Sequence, residues 1–92
     1  MNCFDYICEK LRIENKYKNI EKSQYKEAIL KAIAYGEYKK INSPVNNCLV
    51  LFPEGKHIGV YKDGMLFHYN EDGENIEPYF LRKDLKFYAK AN

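Results

Sequence analysis

Long apolar runs are absent from these 92 residues, and so are repeats and low-complexity segments. Without an uninterrupted stretch of about 18 apolar residues, no segment is suited to cross a bilayer as a helix. No basic segment followed by an apolar one stands at the N-terminus, so no secretory signal is expected. Charge of one sign is also missing: 15 Lys and Arg are interspersed with 13 Asp and Glu, for a formal net charge of +2. That balance describes a solvated surface. It argues against nucleic acid as a partner, because no DNA- or RNA-binding motif accompanies the densest basic stretch, Lys16 to Lys22, which Glu21 interrupts. Cysteine occurs only three times, an odd number whose spacing fits neither a zinc ribbon nor a disulfide scaffold. A reducing cytoplasm is the expected compartment of synthesis. Histidine occurs only twice.

What is present suffices for one small domain over residues 1–92. Apolar residues, counting tyrosine, make up 46% of the chain, with nine Tyr and five Phe. The first half has helical periodicity. Residues 3–13 form a predicted helix with Asn2 as N-cap, Asp5 at the capping-box position, and Phe4, Ile7, Cys8 and Leu11 as its core stripe. A polar connector from Glu14 to Lys22 follows. A second helix is predicted over about 24–35, capped by Ser23, with Tyr25, Ala28, Ile29, Ala32 and Ile33 buried and Gly36 as a left-handed stop.

The second half reads as strands. After a loop at 41–47, Cys48–Phe52 is a continuous apolar run, the pattern of a central strand buried on both faces. Residues 57–62 and 65–69 form a hairpin about Asp63-Gly64, a strong type I′ turn signal. Asp72-Gly73 is another turn. Leu85, Phe87 and Ala89 alternate with Lys86, Tyr88 and Lys90 in a last, half-buried strand. Two helices followed by about four antiparallel strands is an α+β domain.

The hairpin register places the two histidines together. A two-residue turn pairs Lys62 with Met65, Tyr61 with Leu66, Val60 with Phe67 and Gly59 with His68, so His57, Gly59 and His68 share a face. His57 and His68 become diagonal neighbours, roughly 5–8 Å apart. Gly59 opposite His68 is expected to leave open space beside them, while Ile58, Val60, Phe67 and Tyr69 face the core. Cys3, in the first turn of a helix and beside its apolar stripe, is the natural third member. There the macrodipole and unpaired N–H groups lower a thiol's pKa, and exposure is expected. A thiol beside an imidazole is an activated nucleophile: one imidazole takes its proton and the second orients the first. Cys8 and Cys48 read as core. Zinc accepts a Cys-His-His set, but no fourth ligand and no close-spaced ligand pair is apparent, so no metal and no cofactor is expected.

These residues resemble a known family. Asn2-Cys3-Phe4-Asp5-Tyr6-Ile7 at a helix start resembles the nucleophile motif of the NlpC/p60 papain-like cysteine peptidases. Leu49-Val-Leu-Phe52 followed by His57-Ile-Gly-Val-Tyr61 resembles that family's strand pair. Asp63-Gly-Met-Leu-Phe-His68 resembles the next strand, which ends in the third catalytic residue. Ile76-Glu-Pro-Tyr79 with Arg82, and Glu27-Ala-Ile-Leu with Gly36-Glu-Tyr-Lys and Ser43-Pro44, look most like the phage tail-tip branch. The chain departs from the family at the nucleophile, where Asn-Cys-Phe-Asp replaces Asp-Cys-Ser-Gly or Asp-Cys-Trp, and at Asn46-Asn47-Cys48, which replaces Gly-Asp. Members also carry a segment upstream of the cysteine, so the resemblance implies a minimal, N-terminally trimmed form in which the Cys3 N–H serves as oxyanion donor.

The resemblance implies a compact papain-like α+β core with Cys3 as nucleophile, His57 as general base and His68 as orienting residue. It implies hydrolysis of amide bonds in bacterial cell-wall peptides, typically beside a D-glutamyl residue, and a place in a phage particle as an alternative to the cytoplasm. The expected partner is a peptide or peptidoglycan substrate. Two other functions fit the same residues: a non-catalytic NlpC-like module that binds a protein as inhibitor, adaptor or tail-assembly component, for which the many tyrosines are suited, and another Cys-His reaction such as acyl transfer or deamidation.

Overall fold

The computed structural model describes residues 1–91. Helix α1 (Cys3–Leu11) begins as its sequence directs: Asn2 Oδ1 accepts from the Asp5 N–H at 2.8 Å, and Asp5 Oδ2 accepts from the Asn2 N–H at 2.9 Å. This reciprocal capping box satisfies two donors that the first turn leaves free. The buried face of α1 is Cys3, Phe4, Tyr6 and Ile7, which shifts the expected stripe toward the N-terminus. The shift comes from where the helix docks, against the hairpin, with the Tyr6 ring stacked 5.8 Å from Tyr69. The connector closes on α1 through Asn15, whose amide donates to Asp5 Oδ1.

Helix α2 (Tyr25–Tyr35) is preceded by a 3₁₀ turn (Lys22–Gln24). Ser23 does not cap it: Glu21 and Gln24 form the box at the 3₁₀ turn, and Gln24 is the N-cap of α2. Gly36 does not adopt the left-handed conformation either, with φ −79°; Glu37 takes it instead, at φ 59°. The Gly36 position is crowded, since an added Cβ would lie 2.8 Å from both Ala32 O and the Tyr38 ring.

Among the described residues six strands follow, two more than expected: β1 (Tyr38–Ile41), β2 (Leu49–Leu51), β3 (Ile58–Lys62), β4 (Met65–Asn70), β5 (Gly73–Pro78) and β6 (Lys86–Lys90). They form one antiparallel sheet in the order β1-β6-β2-β3-β4-β5. The expected hairpin pairs Lys62↔Met65, Tyr61↔Leu66 and Val60↔Phe67 are present, with Asp63 and Gly64 both at positive φ as a type I′ turn requires. The additional strands are the two edges, β1 and β5.

The sheet divides the core in two. On one face Leu49, Leu51, Ile58 and Val60 pack beneath the helices with Phe4, Ile7, Ile29 and Ile33. On the other, Val50, Phe52 and Leu66 are covered by Tyr61, Tyr79, Leu85 and Phe87. Strand β2 is therefore buried on both sides, as its unbroken apolar run implies. No helix among the described residues is long and apolar enough to cross a membrane.

Candidate active site

His68 projects from β4 onto the face away from the helices and is only 2% exposed. His57 stands one residue before β3, half-buried. The period-2 geometry of the hairpin brings the rings into contact, with His57 Nε2 and His68 Nδ1 2.9 Å apart and the rings nearly perpendicular at 75°. The space beside them is not open. Phe52 fills it, with its ring centroid 4.7 Å from His57 and 4.8 Å from His68. Gly59 permits that approach: a Cβ there would lie 2.8 Å from the Phe67 carbonyl oxygen, 3.0 Å from His68 Cβ and 3.4 Å from the Phe52 ring.

The contacts continue beyond the histidines. His68 Nε2 lies 2.9 Å from Glu77 Oε2. Arg82 grips the same carboxylate, with Nε donating to Oε1 at 2.5 Å and Nη2 to Oε2 at 3.0 Å. Its guanidinium also lies 5.5 Å from the Phe52 ring centroid. Arg82, and next the hydrogen bond from His68, hold the Glu77 carboxyl down at about 2. Sequence reasoning gave Glu77 and Arg82 no role. Both depend on β5, which was not expected to be a strand; once it pairs with β4 in the register Leu66↔Glu77, Glu77 becomes a diagonal neighbour of His68.

Cys3 and His57 line the same cleft, about 550 Å³ in volume, whose walls also include Lys56, Tyr25, Tyr69 and Asp72. Lys22 and Glu71, both at this cleft, form an ion pair. The structure thus brings His57 and His68 into hydrogen-bond contact and sets Cys3 on the same cleft as His57. Among the described residues, however, no hydrogen bond joins Cys3 Sγ to either ring. The expected exposure of Cys3 is also overturned: it is 3% exposed, because its position on α1 belongs to the face docked on the hairpin. Burial pushes the Cys3 thiol above its ordinary value. The backbone N–H groups of Ile58, Cys3 and Phe4 pull it only partly back. The helix N-terminus does act on the sulfur as expected, but desolvation outweighs it.

His57 is shifted in the matching direction. Burial, then the neighbouring His68 and Arg82, lower it to about 4, so at neutral pH it is an uncharged imidazole. Among the described residues its Nδ1 has no hydrogen-bond partner and no buried side-chain nitrogen lacks one, so Nδ1 reaches solvent. Cys48 is buried as expected, whereas Cys8 is only half-buried and its sulfur lies 3.8 Å from the Glu14 carbonyl oxygen. Among the described residues no three His, Cys, Asp or Glu side chains are grouped to hold a metal ion. No protein-family model matches the chain, and neither a curated protein nor a solved structure matches it.

Proposed function

We infer that this chain is a cysteine peptidase or amidase on a papain-like core of the NlpC/p60 kind, hydrolysing amide bonds of bacterial cell-wall peptides through Cys3, His57 and His68. The observation that carries the reading is the cleft shared by Cys3, at a helix N-terminus, and a His57 already hydrogen-bonded to His68. The motif residues around Cys3, His57 and His68 support it from the sequence side.

With Nε2 engaged by His68, the free Nδ1 of His57 is the basic atom. Thiol and imidazole are both uncharged at rest, so the reaction starts without a preformed thiolate–imidazolium pair. Sγ attacks the amide carbon while Nδ1 removes the thiol proton, and the N–H of Cys3 donates to the developing oxyanion. The C–N bond breaks, His57 returns the proton to the leaving amine, and a thioester remains on Cys3. Water, deprotonated by His57, then releases the acid and restores the thiol. Sγ and Nδ1 must close on each other when substrate binds, as catalytic hydrogen bonds commonly tighten only in the complex.

Purified peptidoglycan tests the reading. Wild-type protein should release new amino and carboxyl termini from it, and Cys3→Ser and His57→Ala should not. Equal release by all three, or none by the wild type, removes the peptidase assignment.

The burial of Cys3 and the absence of a sulfur–imidazole hydrogen bond favour a second reading. In it the chain is a non-catalytic NlpC-like module that binds a protein, as inhibitor, adaptor or tail-assembly component. Full biological effect in Cys3→Ala would select it.

A further inference from the structure

The most connected group near the cleft lies outside the Cys-His-His set. Glu77 is the far end of an unbroken line of contacts, His57 Nε2···His68 Nδ1 at 2.9 Å and His68 Nε2···Glu77 Oε2 at 2.9 Å, and Arg82 clamps it with two N–H donors. We propose that Glu77, clamped by Arg82, is a positioning residue that fixes the tautomers of both imidazoles and so presents His57 Nδ1 to the cleft as a bare lone pair. The inference deepens the reading of His57 as general base and names the group that sets its basic atom.

A carboxylate gripped by a bidentate guanidinium is ionised and can only accept. Across the 2.9 Å contact, His68 Nε2 must therefore carry the proton. With His68 neutral, as proposed, one ring nitrogen donates and the other accepts, so its Nδ1 is the acceptor. The His57 Nε2 that faces it at 2.9 Å must then be the donor, which leaves Nδ1 of His57 unprotonated. Nδ1 is also the nitrogen with no partner among the described residues, on a ring that lines the cleft with Cys3. The charged and titratable groups around this line are Glu77 of β5, Arg82 and His68 of β4, and at the cleft Cys3, Tyr25, Lys56, Tyr69, Asp72 and the Lys22–Glu71 ion pair. Phe52 packs on both rings and under Arg82, so the rings have little freedom to turn.

A carboxylate is needed in this position, and an amide will not serve. Glutamine can turn either its oxygen or its NH₂ group to His68, so Glu77→Gln leaves both tautomer chains open. Aspartate keeps the charge one methylene short.

The test is imidazole ¹⁵N NMR at neutral pH. In the wild type, both histidines should show a protonated Nε2 and an unprotonated Nδ1. In Glu77→Gln the two nitrogens of His57 should move toward averaged signals, and Glu77→Asp should restore the wild-type pattern at least in part. The hydrolytic counterpart is a fall in kcat on the order of 10²-fold for Glu77→Gln with KM little changed. A proton on Nδ1 of wild-type His57, a doubly protonated His68, or an unchanged pattern in a folded Glu77→Gln overturns the proposal. Should Glu77→Gln not fold, the wild-type spectrum decides alone. The same spectrum is taken on Cys3→Ala, which cannot hydrolyse anything, so the outcome is independent of whether the chain is a peptidase.

Discussion

At the scale of single residues, Gly59 is closely confined. Its missing side chain lets Phe52 reach His68, and the atom a Cβ would meet first is a backbone oxygen, which cannot rotate away. Gly59→Ala should destabilise the protein by about 1–3 kcal/mol, the range for overpacking a filled site, read from the midpoint of urea unfolding. An unchanged midpoint would mean that β3 and β4 separate more easily than the packing indicates. His57 and Cys3 carry opposite shifts with one origin, burial. A base that protonates only near pH 4 keeps kcat/KM for peptide hydrolysis flat from neutrality down to about that value, and the rate falls below it. An acid limb near the ordinary histidine value would show that burial does not depress His57. For the same reason, Cys3 should react with iodoacetamide more slowly than a free thiol at neutral pH, accelerating as the pH rises.

At the scale of elements, α1 positions the nucleophile, and its start is set by two side chains. Asn2→Ala removes one arm of the capping box and should lower stability by about 1 kcal/mol in denaturant titration. Helices and hairpin were legible in the sequence because local chemistry selects them: the Asn2–Asp5 pair, the apolar spacing of Ala28, Ile29 and Ile33, and Asp63-Gly64 at a turn that needs two positive φ angles. The edge strands were not. Tyr38-Lys-Lys-Ile41 is short and half basic, and Gly73–Pro78 carries two glutamates and ends in proline, a composition suited to a strand with one free edge. Each becomes a strand because a partner, β6 or β4, offers it a ladder.

At the scale of the whole molecule, the partly buried relay makes folding sensitive to acid. His57 has an ordinary value of 6.5 and a folded value of about 4, so between those limits the unfolded chain binds more protons and stability falls as the pH falls. The loss has an upper bound of about 3 kcal/mol. Glu77 is depressed from 4.5 to about 2, so its contribution is complete above 4.5 and is lost as the pH falls toward 2. Unfolding free energy should therefore decline in two successive windows on acidification. His57→Gln should flatten the upper one and leave the lower. A wild-type profile flat from pH 7 to 4 would contradict the burial of a neutral His57.

The amino-acid order by itself determined the α+β class, the capped helix that carries Cys3, the two-faced burial of β2 and the pairing of β3 with β4 that brings the histidines together. Each follows from interactions between residues close in the chain or from a period that a local turn enforces. The tertiary structure alone decided that Cys3 is buried, that Phe52 fills the space beside the rings, and that Glu77 with Arg82 completes the relay. Those outcomes depend on which surface covers α1 and on β5 finding its register, and contacts between distant segments leave no periodic mark in either partner.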